Sequence, residues 1–568
     1  MPQLAPLRGR ERGSTWWIGV AALLATSLVS NLSMLAGPLF MLQVYDRVLA
    51  SRSDATLLVL VLLIVLVYGF YALIEMLRTR LAVRLANLVE RSFGDSLLRG
   101  SIRLRLTAQP RSAPDPVRDG DTVRGFLAGP GLLALLDLPW IPVYLALVFL
   151  IHPALGWLAT AGAVLISLLM LGDEFMLRKP TQSASEAANA RQRQAEDNGE
   201  RAEAILAMGM SPAIGRLWMG RSAALMGFQR IAADRAGLFN ASTRAARLLL
   251  QSLVLGLGAY LVIHGNMTGG LMIAASVLTS RALAPVEQTV AHWRHLVAAR
   301  QALARLRAGV GSRPTAPETT LPLPRTELSV RNLSAAPPGL PAPLVSRVQF
   351  DLQAGEALGV IGPSGSGKSS LARALCGIWQ PGAGEIRLDG ALLSHYDETQ
   401  QGRMIGYLPQ RVDLLDGTVA QNIARFIDDA SSDEVIAAAR LADAHGLILN
   451  LPEGYDTRLV AGGENISAGQ RQRIGLARAL FGDPFLVILD EPNSNLDAEG
   501  ETALTEAIRS VKARRGLVIV VAHRPSAIVA VDKLLLLRNG RQVALGSRAE
   551  ILASLEQGNV HPLPVRAS

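Results

Sequence analysis

The sequence predicts an all-α transmembrane domain of about six helices, followed by an α/β domain built around a P-loop. Three observations carry this expectation. Half of the 568 residues are hydrophobic, mean hydropathy is +0.28, and the apolar residues gather in long runs before residue 295. From Glu327 onward, short apolar strands alternate with helical segments, the pattern of an α/β domain. Between two such elements, Gly362-Pro363-Ser364-Gly365-Ser366-Gly367-Lys368-Ser369 matches G-x-x-x-x-G-K-[ST].

The apolar runs come first. Trp16 to about Met41 is too long for a signal-peptide core and is preceded by Arg8, Arg10 and Arg12, which favours a cytoplasmic N-terminus. Further runs cover Ala55–Ile74, about Leu132–Ile151, Ala154 to about Leu171, Leu248–Ile263 and Met267–Leu283. The spans therefore number about six by length. The links between spans one and two, three and four, and five and six are short. The other two links, about residues 78–131 and 173–247, are long, polar and helix-compatible. With a cytoplasmic N-terminus, both long links face the cytoplasm.

Net charge is +9 and the pI is near 10.1. Arginines such as Arg78, Arg80, Arg84, Arg91, Arg99, Arg103 and Arg105 cluster in polar stretches between apolar runs. That follows the positive-inside rule, so membrane topology accounts for the charge and no nucleic-acid partner is expected. Glu75 and Arg281 mark either a transport path or snorkelling helix ends. The single cysteine, Cys376, excludes an intrachain disulfide and any multi-cysteine metal site; a small core residue is the expected role.

Residues 309–325 are rich in Pro, Thr and Gly and read as a linker. It separates a transmembrane domain over 1–308 from a nucleotide-binding domain over 326–568. In the latter, a buried strand over Glu356–Ile361 should precede the P-loop and a helix beginning near Ser370 should follow it. Such a turn exposes successive backbone N–H groups that cradle phosphate oxygens; Lys368 reaches the β- and γ-phosphates and Ser369 ligates Mg²⁺. Phe485-Leu-Val-Ile-Leu-Asp490-Glu491 is a buried strand ending in two carboxylates. Asp490 suits the metal-facing role, and Glu491 the orientation or deprotonation of the attacking water.

With these motifs in place, the chain resembles the ATP-binding-cassette (ABC) proteins. Ile466-Ser467-Ala468-Gly469-Gln470 resembles the family signature Leu-Ser-Gly-Gly-Gln, whose serine and helix N-terminus face ATP held by the opposite subunit. Gln410 matches the Q-loop glutamine, which senses Mg²⁺ and water. Ser494-Asn-Leu-Asp497 matches the D-loop, and His523 the switch histidine. The resemblance implies ATP and Mg²⁺ as ligands, with Ser369, Gln410 and Asp490 at the metal and Ser370 closing the phosphate site. Two departures stand out: Ala468 replaces a glycine, and Leu333–Gly339 lacks the family's adenine-stacking aromatic.

Helices preceding one cassette resemble half of a type I ABC exporter, which implies a homodimer. Phe40–Leu49, Leu136-Asp-Leu-Pro-Trp140 and Arg281-Ala-Leu-Ala-Pro285-Val-Glu287 are similar to type I secretion ATPases of the PrtD kind. That resemblance implies a motor in the bacterial inner membrane, with its cassette cytoplasmic. It would export unfolded polypeptides (proteases, lipases and RTX-like proteins) that carry a C-terminal signal. It also implies a periplasmic membrane-fusion adaptor and a TolC-like outer-membrane channel as partners. About 15 residues precede the first apolar run, so no N-terminal cysteine-peptidase domain is expected. A half-size exporter of lipids, drugs or small peptides is the alternative.

Overall fold

The structure, a computed structural model, describes residues 9–107, 115–310, 321–340, 342–463 and 465–556; the core of the predicted linker lies outside them. The chain divides into two compact units, Met1–Ser101 with Asp115–Gly311, and Ile102–Pro114 with Ser312–Ser568.

Among its described residues the first unit is built of helices and short connecting turns, with no strand. Six helical stretches are long and apolar enough to cross a membrane: Trp16–Ser51, Asp54–Leu104, Pro130–Ile151, Pro153–Glu200, Ser211–Ile263 and Gly269–Thr289. Five of the predicted apolar runs each lie within one of them, and the sixth, Met267–Leu283, begins two residues before the helix that carries it. The two long links largely extend the span helices. Helix Asp54–Thr107 has 54 residues, about 80 Å at the α-helical rise, because its Arg-, Leu- and Ala-rich second half contains no proline. Helices Pro153–Glu200 and Ser211–Ile263 similarly leave only the short helix Ala202–Ala207 between them.

Two of the recognisable sequence segments are joints. Leu138–Trp140 forms a 3₁₀ turn between helices Pro130–Asp137 and Ile141–Ile151, since Pro139 and Pro142 each remove a helical N–H. Val44–Val48 is a π-helical turn that brings Asp46 to the start of helix Gly269–Ala291. There Asp46 accepts hydrogen bonds from Thr268 Oγ1 at 2.5 Å and the Gly270 N–H at 2.9 Å, stabilising exposed donors at a helix N-terminus.

The 3₁₀ joint sits beside a buried polar network. Oδ1 of Asp137 accepts from Ser27 Oγ, Asn31 Nδ2 and Arg78 Nη2, each at 2.8 Å. Arg78 is 3% exposed and also donates to the Leu133 carbonyl at 2.8 Å. The Tyr144 hydroxyl donates to Asn31 Oδ1 at 3.1 Å. Arg78 is therefore bound inside the helical unit instead of snorkelling. Removing one member of a buried pair leaves its partner uncompensated, at roughly 3–5 kcal/mol. We therefore expect Asp137→Ala to lower the Tm of the detergent-solubilised protein sharply. Arg78→Met combined with Asp137→Leu should recover much of the loss; equal additive losses in this double-mutant cycle would contradict the pairing.

The second unit is an α/β domain. Its strands are β1 Glu327–Ala335, β2 Val345–Gln353, β3 Ala357–Ile361, β4 Ala383–Leu388, β5 Ala391–Leu392, β6 Ile405–Leu408, β7 Gly417–Thr418, β8 Arg458–Leu459, β9 Leu486–Asp490, β10 Leu517–Val521, β11 Lys533–Arg538 and β12 Arg541–Ser547. Ten of them form one sheet in the order β5-β4-β1-β2-β12-β11-β3-β10-β9-β6. The run β11-β3-β10-β9-β6 is parallel, with β10 registering Val521 against Val360 on one side and Asp490 on the other. Strands β3, β9 and β10 are almost wholly buried, as their continuous apolar sequences require. Hydrophobic clusters cover both faces of the sheet.

Candidate functional site: a phosphate loop at the carboxyl edge of the sheet

Ligand sites of α/β sheets form beyond the carboxyl ends of parallel strands. Here four adjacent strands end together. The P-loop follows β3, Asp490 and Glu491 close β9, His523 follows β10 and Gln410 follows β6.

The P-loop turns into helix Lys368–Leu375, with Gly367 at its N-cap in the left-handed region (φ 96°). A Cβ on Gly367 would approach the Leu344 carbonyl to 2.9 Å, and one on Gly362 would meet the Leu537 carbonyl at 2.1 Å. Both positions therefore require glycine. Lys368 Nζ donates to the carbonyls of Gly362 at 2.9 Å and Pro363 at 3.0 Å. The cation lies folded over its own loop, and burial lowers its pKa. Pro363, Ser364 and Gly365 form the outer turn, while Ser366 and Ser370 are buried.

Ser369 Oγ donates to Asp490 Oδ1 at 3.2 Å. Asp490 is 1% exposed, and its Oδ2 has no hydrogen-bond partner. Burial raises its pKa, opposed by the Ser369 hydrogen bond and reinforced by neighbouring Glu491. A buried, unsatisfied carboxylate oxygen beside a hydroxyl fits a hard divalent cation with oxygen ligands.

Glu491 is held from two sides. Gln410 Nε2 donates to its Oε2 at 2.9 Å, and His523 Nε2 lies 2.8 Å from its Oε1. Its backbone adopts φ 52°, a left-handed conformation that non-glycine residues occupy at some energetic cost. A carboxylate fixed between an amide and an imidazole is arranged to accept a proton or orient water.

The structure thus gathers the P-loop, Asp490, Glu491, Gln410 and His523 into one cluster. The signature residues are arranged separately. Ser467 caps helix Ala468–Leu480 in a reciprocal box: the Gln470 N–H donates to Ser467 Oγ at 3.2 Å, and the Ser467 N–H to Gln470 Oε1 at 2.9 Å. Ala468 and Gly469 open that helix, and a Cβ on Gly469 would lie 3.3 Å from the Asn495 carbonyl. Asp497 caps helix Ala498–Ala513 through the Gly500 N–H at 2.9 Å. That bond, with Arg473, holds its carboxyl below the usual range.

Sequence reasoning missed two contributors. Arg473 bridges Asp497 at 2.8 Å and Asp443 at 2.6 Å, tying the signature helix to the D-loop; its place three residues after the signature glutamine was the available signal. Leu344 sets its backbone carbonyl against Gly367 while its side chain is half exposed, and no motif marks it. Cys376 is half-buried and packs against a hydrophobic cluster, with its thiol pKa pushed well up by desolvation, consistent with the packing role expected of it.

A six-span helical unit joined to an α/β domain that gathers Asp490, Glu491, Gln410 and His523 at a phosphate loop defines an ATP-driven membrane transporter. The comparisons agree. The family model "ABC transporter transmembrane region" matches residues 20–286, and "ABC transporter" matches residues 345–494. The type I secretion system ATP-binding protein PrsD of Rhizobium meliloti is 47% identical, covering 95% of this chain and 92% of its own. The alpha-hemolysin translocation ATP-binding protein HlyB of Escherichia coli is 29% identical, covering 94% of this chain and 76% of its own. A bacterial Atm1-family ABC exporter with ATP bound shares the fold, with a TM-score of 0.82 at 22% identity over 95% of this chain and 97% of that one. The chain belongs to the ABC transporters, among the type I secretion ATP-binding proteins, and is a multi-pass membrane ATPase.

The raised Asp490 pKa has a measurable consequence. A carboxyl that holds its proton more tightly when folded makes the native state lose stability as pH rises from the ordinary carboxylate range through the raised value. Asp490→Asn removes that penalty. In chelator and without nucleotide, we expect the variant to melt about 2–4 °C higher at neutral pH for each kcal/mol relieved, with the gain vanishing in acid. A lower neutral-pH Tm would contradict this reading.

Proposed function

We propose that this chain is the homodimeric motor of a type I secretion system, exporting unfolded polypeptides with C-terminal signals across the bacterial inner membrane. The observation that carries the ATPase half of this reading is the intact Gln410–Glu491–His523 cluster beside the P-loop. The six spans and the similarity to secretion ATP-binding proteins support the transport half. We assign residues 1–308 to the membrane domain, 309–325 to a linker and 326–568 to a cytoplasmic cassette.

In this reading the P-loop N–H groups, Gly362 through Ser370, cradle the phosphates. Lys368 swings from the Gly362 and Pro363 carbonyls to the β- and γ-oxygens. Ser369, Asp490 and the Gln410 side-chain oxygen are the groups that would hold Mg²⁺, which neutralises developing phosphate charge when bound. Glu491 takes the proton of the attacking water or orients it, and His523 steadies that carboxylate and faces the γ-phosphate. Leu344 supplies an apolar surface for adenine where an aromatic is absent.

Ser467, Ala468, Gly469 and Gln470 present a helix N-terminus suited to an anion. They serve the nucleotide on the second copy, while Asp497, held by Arg473, lines the interface. Nucleotide shared between two cassettes closes them, and hydrolysis releases them; this switches the helical units between accessible states. A periplasmic adaptor and a TolC-like channel complete the path.

Glu491→Gln should retain ATP binding yet lose on the order of 10²–10⁴-fold in turnover; near-normal phosphate release would refute its role. The shared site is tested by co-expression. Lys368→Ala and Ser467→Ala chains, each inactive alone, should regain ATPase activity together, because a mixed dimer keeps one intact P-loop facing one intact signature. No recovery in purified mixed dimers would sink that assignment. Deleting the gene should remove specific polypeptides from the medium; loss of lipid or drug export alone would favour the alternative exporter.

A further inference from the structure

Glu75 and Arg281 carry opposite charges and meet one group of side chains, yet they do not pair. Glu75 Oε2 accepts only from Ser30 Oγ at 3.2 Å, with Arg78 at 3.6 Å. Arg281 Nη1 donates to Met34 Sδ at 3.4 Å, and among the described residues it has no carboxylate within ion-pair distance. Ser30 and Met34 lie one turn apart on helix Gly9–Met34, and Tyr71 is one turn before Glu75 with both charges in electrostatic reach. Spans two and six run in the same direction. Glu75, just after Ile74, and Arg281, just before Leu283, therefore lie toward the same membrane face.

Opposite charges in an apolar helical unit attract strongly, and the neighbouring Arg78–Asp137 contact at 2.8 Å shows what a satisfied pair looks like here. Oε2 of Glu75 is met by Ser30 and by Arg78 at 3.6 Å, but among the described residues its Oε1 has no hydrogen bond and Arg281 donates only to a thioether. Such unused polar capacity is costly at membrane depth unless a ligand uses it. A lipid phosphate would use Arg281 and be repelled by Glu75; a cationic drug would meet the reverse. A peptide unit presents an N–H and a C=O together and carries no net charge.

We propose that Glu75 and Arg281 form a main-chain clamp for an extended polypeptide. The carboxylate accepts a backbone N–H while the guanidinium donates to a nearby carbonyl of the same segment. Met34 and Tyr71 flank it with adaptable apolar surface that tolerates varied side chains. The inference rests on the polypeptide-export reading and puts the clamp toward the cytoplasmic ends of spans two and six.

The test uses the full-length chain in secreting cells, with a photo-crosslinking benzoylphenylalanine in place of Tyr71. Irradiation should give an adduct with a polypeptide whose secretion requires this gene, and the adduct should fade in Arg281→Gln. At unchanged membrane abundance, Arg281→Gln and Glu75→Gln should each lower export about tenfold or more, with Arg281→Lys less affected. If gene deletion abolishes secretion of a polypeptide but position 71 yields no polypeptide adduct, or only lipid adducts, the clamp is wrong. If deletion leaves the extracellular proteins unchanged, the export reading itself fails, and the clamp with it.

Discussion

Parallel pairing of β3, β10, β9 and β6 is the constraint on which the nucleotide site depends. The register aligns Val360, Val521, Asp490 and Leu408 near one edge, so four loops distant in sequence open side by side. Glu491 begins where that pairing ends: its N–H still donates to the Val521 carbonyl at 2.9 Å. From there the chain turns through a left-handed φ that aims the carboxylate between Gln410 and His523. Burial of the strands on both faces fixes the register, and the loops inherit its precision.

The membrane unit solves a different problem. Its helices cannot rely on the hydrophobic effect to find one another within lipid, so packing and interhelical hydrogen bonds specify the arrangement. Asp137 meets that need by gathering donors from helices Gly9–Met34 and Asp54–Thr107 onto one oxygen. The 3₁₀ turn that follows breaks the third span where the network sits. Asp46 performs a similar service by tying the π-helical turn to the helix beginning at Gly269.

The fold was largely legible in the sequence, for physical reasons that differ between the halves. Apolar runs long enough to span a bilayer have few alternative readings, so the six spans follow from length. The P-loop and the strand ending in Asp490 and Glu491 were legible because phosphate chemistry restricts both residue type and spacing. The sequence concealed how polar side chains pair over long separations. Arg78 lies 59 positions from Asp137 and read as one of many membrane-flanking arginines. Leu344 was invisible because a backbone carbonyl set against Gly367 leaves no side-chain motif. Helix continuity through the long links was only partly visible, since polar helical segments lack a strong apolar period.

The same distinction bears on what holds Glu491 ready. Its left-handed backbone costs energy that the local chain does not return, so the conformation persists only while surrounding contacts over-determine it. Gln410 and His523 supply two such contacts, from β6 and β10, the strands flanking β9 on either side. Moving either loop therefore changes more than one hydrogen bond, because it also weakens the restraint on a strained residue. A loop carrying Gln410 that shifts with its surroundings would alter the position of the Glu491 carboxylate directly. In the proposed reading, coupling between hydrolysis and motion then needs no long relay within the cassette, because Gln410 is already bonded to Glu491, the carboxylate proposed to act on water.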